Sequence, residues 1–226
     1  MSEDRFYETS LCFWNARAIS LVQQGNCSGA ILLFQQCLQT LGSHGQFSGN
    51  EQQRDHVAHE INSVPVVALE ENSVDIVSLF PRAFLMTFPV LEDFENCSRI
   101  LLYNMALACD IQASLLEVAG DPLSASQWAD RAINVYCWAL SVAYESSCDL
   151  GGKTLAEVVA LAATNNLGRL QSRLGFFEEA RACVLRSLEI FNRVWRAGHG
   201  TNSLPYESLA PFIFLGQCVL PNAPAA

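Results

Sequence analysis

Apolar side chains that return every third or fourth residue, interrupted by a glycine, constrain this chain more than any other feature, because that spacing lays one apolar stripe along an α-helix. Between Thr9 and Gly42 the pattern predicts two helices broken at Gly25-Asn26, the second carrying Ala30, Ile31, Phe34, Cys37, Leu38 and Leu41. It returns later: Leu167, Leu170 and Leu174 precede a break at Gly175, and Phe177, Ala180, Val184 and Leu188 follow. A further pair, 100–118 and 125–144, is punctuated by Asp121-Pro122, since a proline suits a helix start and disrupts a helix interior. Ala132, Ile133, Tyr136, Ala139 and Leu140 form its second stripe. A recurring two-helix unit is the signature of stacked hairpins, none of which buries its faces without a neighbour.

These residues resemble the tetratricopeptide (TPR) repeat family. The third hairpin carries Asn166-Leu167-Gly168, Gly175, Phe177, Ala180 and Ser187 at the family's spacing. The first follows with Trp14, Ala18, Gly25, Ala30, Phe34 and Cys37, the second with Asn104-Met105-Ala106, Ala132, Tyr136 and Ala139. The resemblance implies a mainly all-α fold of antiparallel helical hairpins stacked as a short solenoid. It is expected as one domain over 9–226, with hairpins at about 9–42, 95–147 and 153–196, an insert at 43–94 and a capping segment at 204–220. The spacing departs from the family's regularity. Ala30 and Ala132 stand 102 residues apart, room for further repeats that 45–89 does not show. There, 43–60 is polar and reads as a loop, while 64–69 and 74–88 are rich in Val, Phe and Leu. They permit either short strands, as a small β-hairpin near 64–88, or a buried extended segment. Ala132 and Ala180 are 48 residues apart, so the second unit's helices or the loop at 146–152 absorb an excess.

Composition narrows the partners. Half of the 226 residues are hydrophobic and only 16% charged, enough to bury a core and too apolar for disorder. The net charge of -10 would repel a phosphate backbone, which argues against nucleic acid. The opening MSEDRFYETS holds Glu3, Asp4 and Glu8 and does not read as a secretory signal, and no stretch reads as a transmembrane span. Nine cysteines without a CxxC pair fit neither zinc nor a thioredoxin-like site, and are expected as reduced core thiols in a cytoplasmic protein. Acidic residues dominate 1–150 and basic ones slightly exceed them in 151–226, a split that could orient two copies head to tail.

Three features invite an enzymatic reading. Gly151-Gly152-Lys153-Thr154 looks like the end of a phosphate-binding loop, but Ser147 stands where its first glycine belongs. Gly25-Asn26-Cys27-Ser28-Gly29 has the form of a nucleophile elbow, yet helices flank it where a strand is required. His56 and His59 could share a helical face, with no third metal ligand of standard spacing. Each has the blander assignment of a turn or a solvated loop, and no cofactor or metal is expected.

The TPR resemblance implies a different site, since the first helix of each hairpin lines a concave groove. By the family's phase Asn165, Arg169, Ser172 and Arg173 face it, as does Asn104 in the preceding unit. Arginine grips carboxylate bidentately and asparagine can pair with an extended backbone. The expected partner is therefore a protein or peptide, with an acidic or C-terminal segment among the candidates. The chaperone-tail clamp of the family is not reproduced, because Asn15, Ile19, Ala162 and Asn166 occupy its other positions. The apolar segment 204–220 either caps the last hairpin or is a contact surface. The sequence thus points to a non-catalytic binding scaffold, with self-assembly as the alternative and an enzyme using Cys27, Lys153 or His56 and His59 behind both.

Overall fold

The computed structural model describes residues 3–44, 63–66, 82–86, 94–145 and 153–196. These form six helices and two short strands in the order α1 (Glu3–Gln23), α2 (Cys27–His44), β1 (Ser63–Pro65), β2 (Arg82–Phe84), α3 (Phe94–Val118), α4 (Pro122–Glu145), α5 (Lys153–Arg173) and α6 (Phe177–Arg196). The protein is mainly helical, with one small antiparallel sheet.

Three helix pairs are joined by the same turn. Gly25, Gly120 and Gly175 adopt φ of 77°, 80° and 85°, a left-handed conformation that costs a residue with a Cβ about 1–2 kcal/mol. Each glycine N–H donates to the carbonyl three residues back, and the next N–H to the carbonyl five back, as in Asn26 to Leu21, Asp121 to Leu116 and Phe176 to Gln171, each 2.9 Å. These bonds satisfy the last carbonyls of α1, α3 and α5. The following helix starts at once. Asn26 Oδ1 accepts from Gly29 N at 3.0 Å and Asp121 Oδ1 from Ser124 N at 3.1 Å, both as N-caps. Ser124 also holds the Asp121 carboxyl below its ordinary pKa.

Seven residues before each turn glycine and five after it stand small buried residues: Ala18 and Ala30, Ala113 and Ala125, Gly168 and Ala180. Their size lets the paired backbones approach. A Cβ added to Gly168 would lie 2.9 Å from Cys183 Cβ, closer than side chains tolerate. The turns thereby correct one expectation: the counterpart of Ala30 and Ala180 is Ala125, not Ala132. Both alanines lie on one face of α4, because seven residues make about two helical turns, so the apolar stripe alone does not distinguish them. The second hairpin's extra length lies in its helices, with 25 and 24 residues in α3 and α4 against 21 and 18 in α1 and α2.

Consecutive helices pack on one another, and the first members of the pairs also touch, α1 against α3 and α3 against α5. Thus α3 meets α1, α2, α4, α5 and β2, which explains why every residue from Asn96 to Asp110 is buried. Among the described residues, α3 alone is long and apolar enough to cross a membrane by length and composition, and 67% of that stretch is buried within the protein. Arg99 within it is 2% exposed and donates to Asn96 Oδ1 (2.6 Å), Glu95 Oε2 (3.1 Å) and the Val142 carbonyl (3.0 Å), tying α3 to the far end of α4.

The stretch read as strands or as a buried extended segment contains both. β1 and β2 pair antiparallel, Ser63 opposite Phe84 and Pro65 opposite Arg82. Arg82 reaches across to Ser63 Oγ (2.9 Å) and to its carbonyl (2.7 Å). Ala83, Phe84 and Met86 are buried against the helices.

Candidate functional site

An asparagine in the middle of the buried central helix needs partners, because an unpaired buried amide costs about 1–3 kcal/mol. Asn104 of α3 finds them in the backbone of β2. Its Oδ1 accepts from Phe84 N at 2.9 Å, while its Nδ2 donates to Phe84 O at 2.8 Å and to Asn15 Oδ1 at 3.0 Å. Asn15 of α1 in turn donates to Phe84 O at 3.1 Å. One side-chain amide thus gives a single residue the paired donor and acceptor that a neighbouring strand would offer. One turn-equivalent pair further along, Gln23 at the end of α1 donates to the Pro65 carbonyl of β1 at 2.8 Å. The Phe84 ring meets Tyr103 of α3 edge-on at 5.0 Å, and Tyr103 lies 6.1 Å from Tyr136 of α4.

A second polar cluster lies between α3 and α5. Asp110 is fully buried; its Oδ2 accepts a short hydrogen bond from Arg169 Nη2, and its Oδ1 lies 3.6 Å from Arg173 Nη2. Arg173 Nη1 also donates to Ser114 Oγ at 2.7 Å and lies 3.8 Å from Glu117. Asn166 donates to the hydroxyls of Tyr103 (3.2 Å) and Tyr136 (3.3 Å), and Asn165 donates to Asn166 Oδ1 (3.2 Å). Burial pushes both phenols well above the usual tyrosine range, so they stay neutral. Two carboxylates, Asp110 and Glu117, thus face two guanidinium groups.

The residues singled out from sequence are distributed as follows. Asn104 stands at β2, whereas Asn165, Arg169 and Arg173 join the Asp110 cluster one hairpin along. Ser172 is exposed near the end of α5. Cys27 opens α2 and is buried, its thiol pushed up to about 11 by burial, which suppresses the thiolate a nucleophile requires. Lys153 opens α5. His56, His59 and the segment 204–220 lie outside the described residues. Among the described residues no group of three or more His, Cys, Asp or Glu could hold a metal ion.

Chief among the participants that escaped the sequence reading are Phe84, whose backbone is gripped, and Asp110, which occupies the arginines. Asn15, noted there only as a departure from a known clamp, is another. An amide or carboxylate inside an apolar helical stripe was the available signal, since such groups are buried only with a partner. No family model matches the chain, and neither the curated proteins nor the solved structures give a match.

Proposed function

We propose that this chain is a non-catalytic binding scaffold of TPR type, which holds an extended peptide or protein segment along the face formed by α1, α3 and α5. The observation that carries this reading is the grip of Asn104 and Asn15 on both polar backbone groups of Phe84. Such a grip recognises extended main chain by hydrogen bonds and leaves side-chain pockets to supply selectivity. Support for the TPR assignment comes from the three like turns and from the small residues twelve apart across each of them. The groups at the site are amides, neutral phenols and paired ions, which suit recognition better than bond making. An acidic ligand is the less favoured partner, because it would compete with Asp110 for Arg169 and Arg173. A cytoplasmic setting suits the reduced Cys27, Cys37, Cys109, Cys137 and Cys183.

The test is site-specific photocrosslinking in lysate, which avoids disturbing the buried amides. A photoreactive residue replaces Gln23 or Ser172 on the first helices, or the exposed Gln36 of α2 or Glu189 of α6 as controls. Adducts with a common protein at Gln23 and Ser172, and none at the controls, are expected. Adducts confined to the controls, or none at any position, would remove the groove from consideration.

Self-assembly is the second reading, favoured by large apolar side chains exposed around two of the hairpin turns: Val118 at 90%, Leu123 at 72% and Phe177 at 69%. Sedimentation at two salt concentrations separates two modes. Association through apolar tips persists or strengthens with salt, whereas association driven by the charge split weakens.

A further inference from the structure

The groove proposed above already has a tenant. We infer that residues 82–86 are a built-in ligand of the groove between α1 and α3, and that the natural partner displaces them with an extended segment bearing an aromatic residue at the Phe84 position. The inference rests on the peptide-binding reading and specifies the partner's chemistry.

Four observations lead to it. β1 and β2 pair over only three residues each, too little for a two-stranded sheet to stand alone, so the helices hold this segment in place. On the helix side the hold on its backbone is made by side-chain amides, which any extended chain satisfies equally well and which carry no preference for covalent continuity. What discriminates is the ring: Phe84 is 1% exposed and edge-on to Tyr103, and Met86, two residues on and so on the same face of an extended chain, is also buried, while the buried neighbour Ala83 is small. A partner therefore needs an aromatic residue and, two places later, a further apolar one. Finally, Asn15 and Asn104 would lose their bonds to the Phe84 backbone in a dry, empty groove, so the chemistry favours exchange of one extended segment for another over vacancy.

The segment is tethered within the chain, with 37 residues between His44 and its start and seven between its end and α3. Tethering gives an internal ligand an effective concentration on the order of millimolar, so a free peptide meets strong competition in the wild type. Removing the internal ring should weaken that competition.

The probe is an acetylated, amidated and fluorescently labelled peptide with the sequence of residues 81–87, titrated by anisotropy into the full-length chain. Phe84→Ala protein is expected to bind it at least about tenfold more tightly than wild type does. A probe whose own phenylalanine is alanine, or a protein carrying Phe84→Ala with Asn104→Ala, should bind at least about tenfold more weakly than the first pair. Equal binding by wild type and Phe84→Ala, or indifference to the probe's phenylalanine, overturns the inference. If crosslinking at Gln23 and Ser172 still captures a partner, the scaffold reading survives that failure; if it does not, both fall.

A measurement on wild type guards against a Phe84→Ala chain that does not fold. In hydrogen exchange the Phe84 amide is expected to open at lower free energy than the amides of Leu101 to Cys109 in α3, which open with the whole molecule. Exchange of Phe84 only through global unfolding would make the segment fixed core and end the proposal. A concentration-dependent dimer that the probe dissociates would identify a second copy's segment as the occupant and overturn the foreign partner.

Discussion

Replacing Asn104 with alanine removes three hydrogen bonds at once. The Phe84 N–H loses the acceptor 2.9 Å away, Asn15 Oδ1 loses the donor 3.0 Å away, and Phe84 O keeps Asn15 as a donor. Two polar groups are thus stripped of these partners inside a site where Asn15 is fully buried and Phe84 1% exposed. At about 1–3 kcal/mol for each such group, and with some return if water enters, the variant should lose about 3 kcal/mol of stability. Urea unfolding followed by far-ultraviolet circular dichroism measures it as a lower midpoint with an unchanged slope. Asn15→Ala made alone and together with Asn104→Ala closes a double-mutant cycle. Because the two amides share a bond and an acceptor, the cycle should return a coupling of about 1 kcal/mol or more. A loss below about 1 kcal/mol for Asn104→Ala, or strict additivity with Asn15→Ala, would refute the claim that these amides act as one clamp.

Other expectations follow from the same physical terms. Asp110→Ala takes the carboxylate away from Arg169, whose side chain is only 11% exposed, and should cost about 3–5 kcal/mol with little salt dependence; a salt-sensitive loss under about 1 kcal/mol would mark the pair as a surface one. Gly168→Ala drives a Cβ into Cys183 and should lower the melting temperature despite alanine's better helix propensity, whereas Gly42→Ala in α2 meets open space and should gain about 0.5–1 kcal/mol. Burial raises the thiols of Cys27 and Cys183 to about 11 and those of Cys37 and Cys109 to about 12, so the fold favours their neutral form. Their stabilising contribution is complete below the unfolded thiol pKa near 9 and is lost as pH rises toward 11–12, which urea midpoints in alkaline buffers will register as a decline. At neutral pH an alkylating reagent mapped by mass spectrometry should label exposed Cys137 before any of Cys27, Cys37 and Cys109.

Helices and their breaks were legible in the sequence because both are local: an apolar stripe needs neighbours three or four residues away, and a Gly or Asp-Pro break is read in place. Register was less so. Ala125 and Ala132 satisfy the same stripe, and only the hydrogen-bonded turn at Gly120 chooses between them. The strands could be read only as one of two possibilities, since three residues are too few for alternation to declare itself. The site was legible in fragments. Asn104, Asn165, Arg169 and Arg173 could be named from the phase that the TPR resemblance implies, but Asp110 lies 59 residues from Arg169, and Asn15 lies 69 from Phe84. No local rule pairs residues so far apart; that pairing is made by the packing of α3 between α1 and α5.

A chain of hairpins touching only their nearest neighbours could shed its ends one at a time. Here the uninterrupted burial of Asn96 to Asp110 opposes that behaviour. Losing the α1–α2 pair on one side, or α5–α6 on the other, would bare buried apolar side chains of α3 to water and leave Asn104 without Asn15, or Asp110 without Arg169. The terminal pairs are therefore bound to the fate of the centre, and heating should take the molecule apart in a single calorimetric step whose enthalpy matches the van't Hoff value.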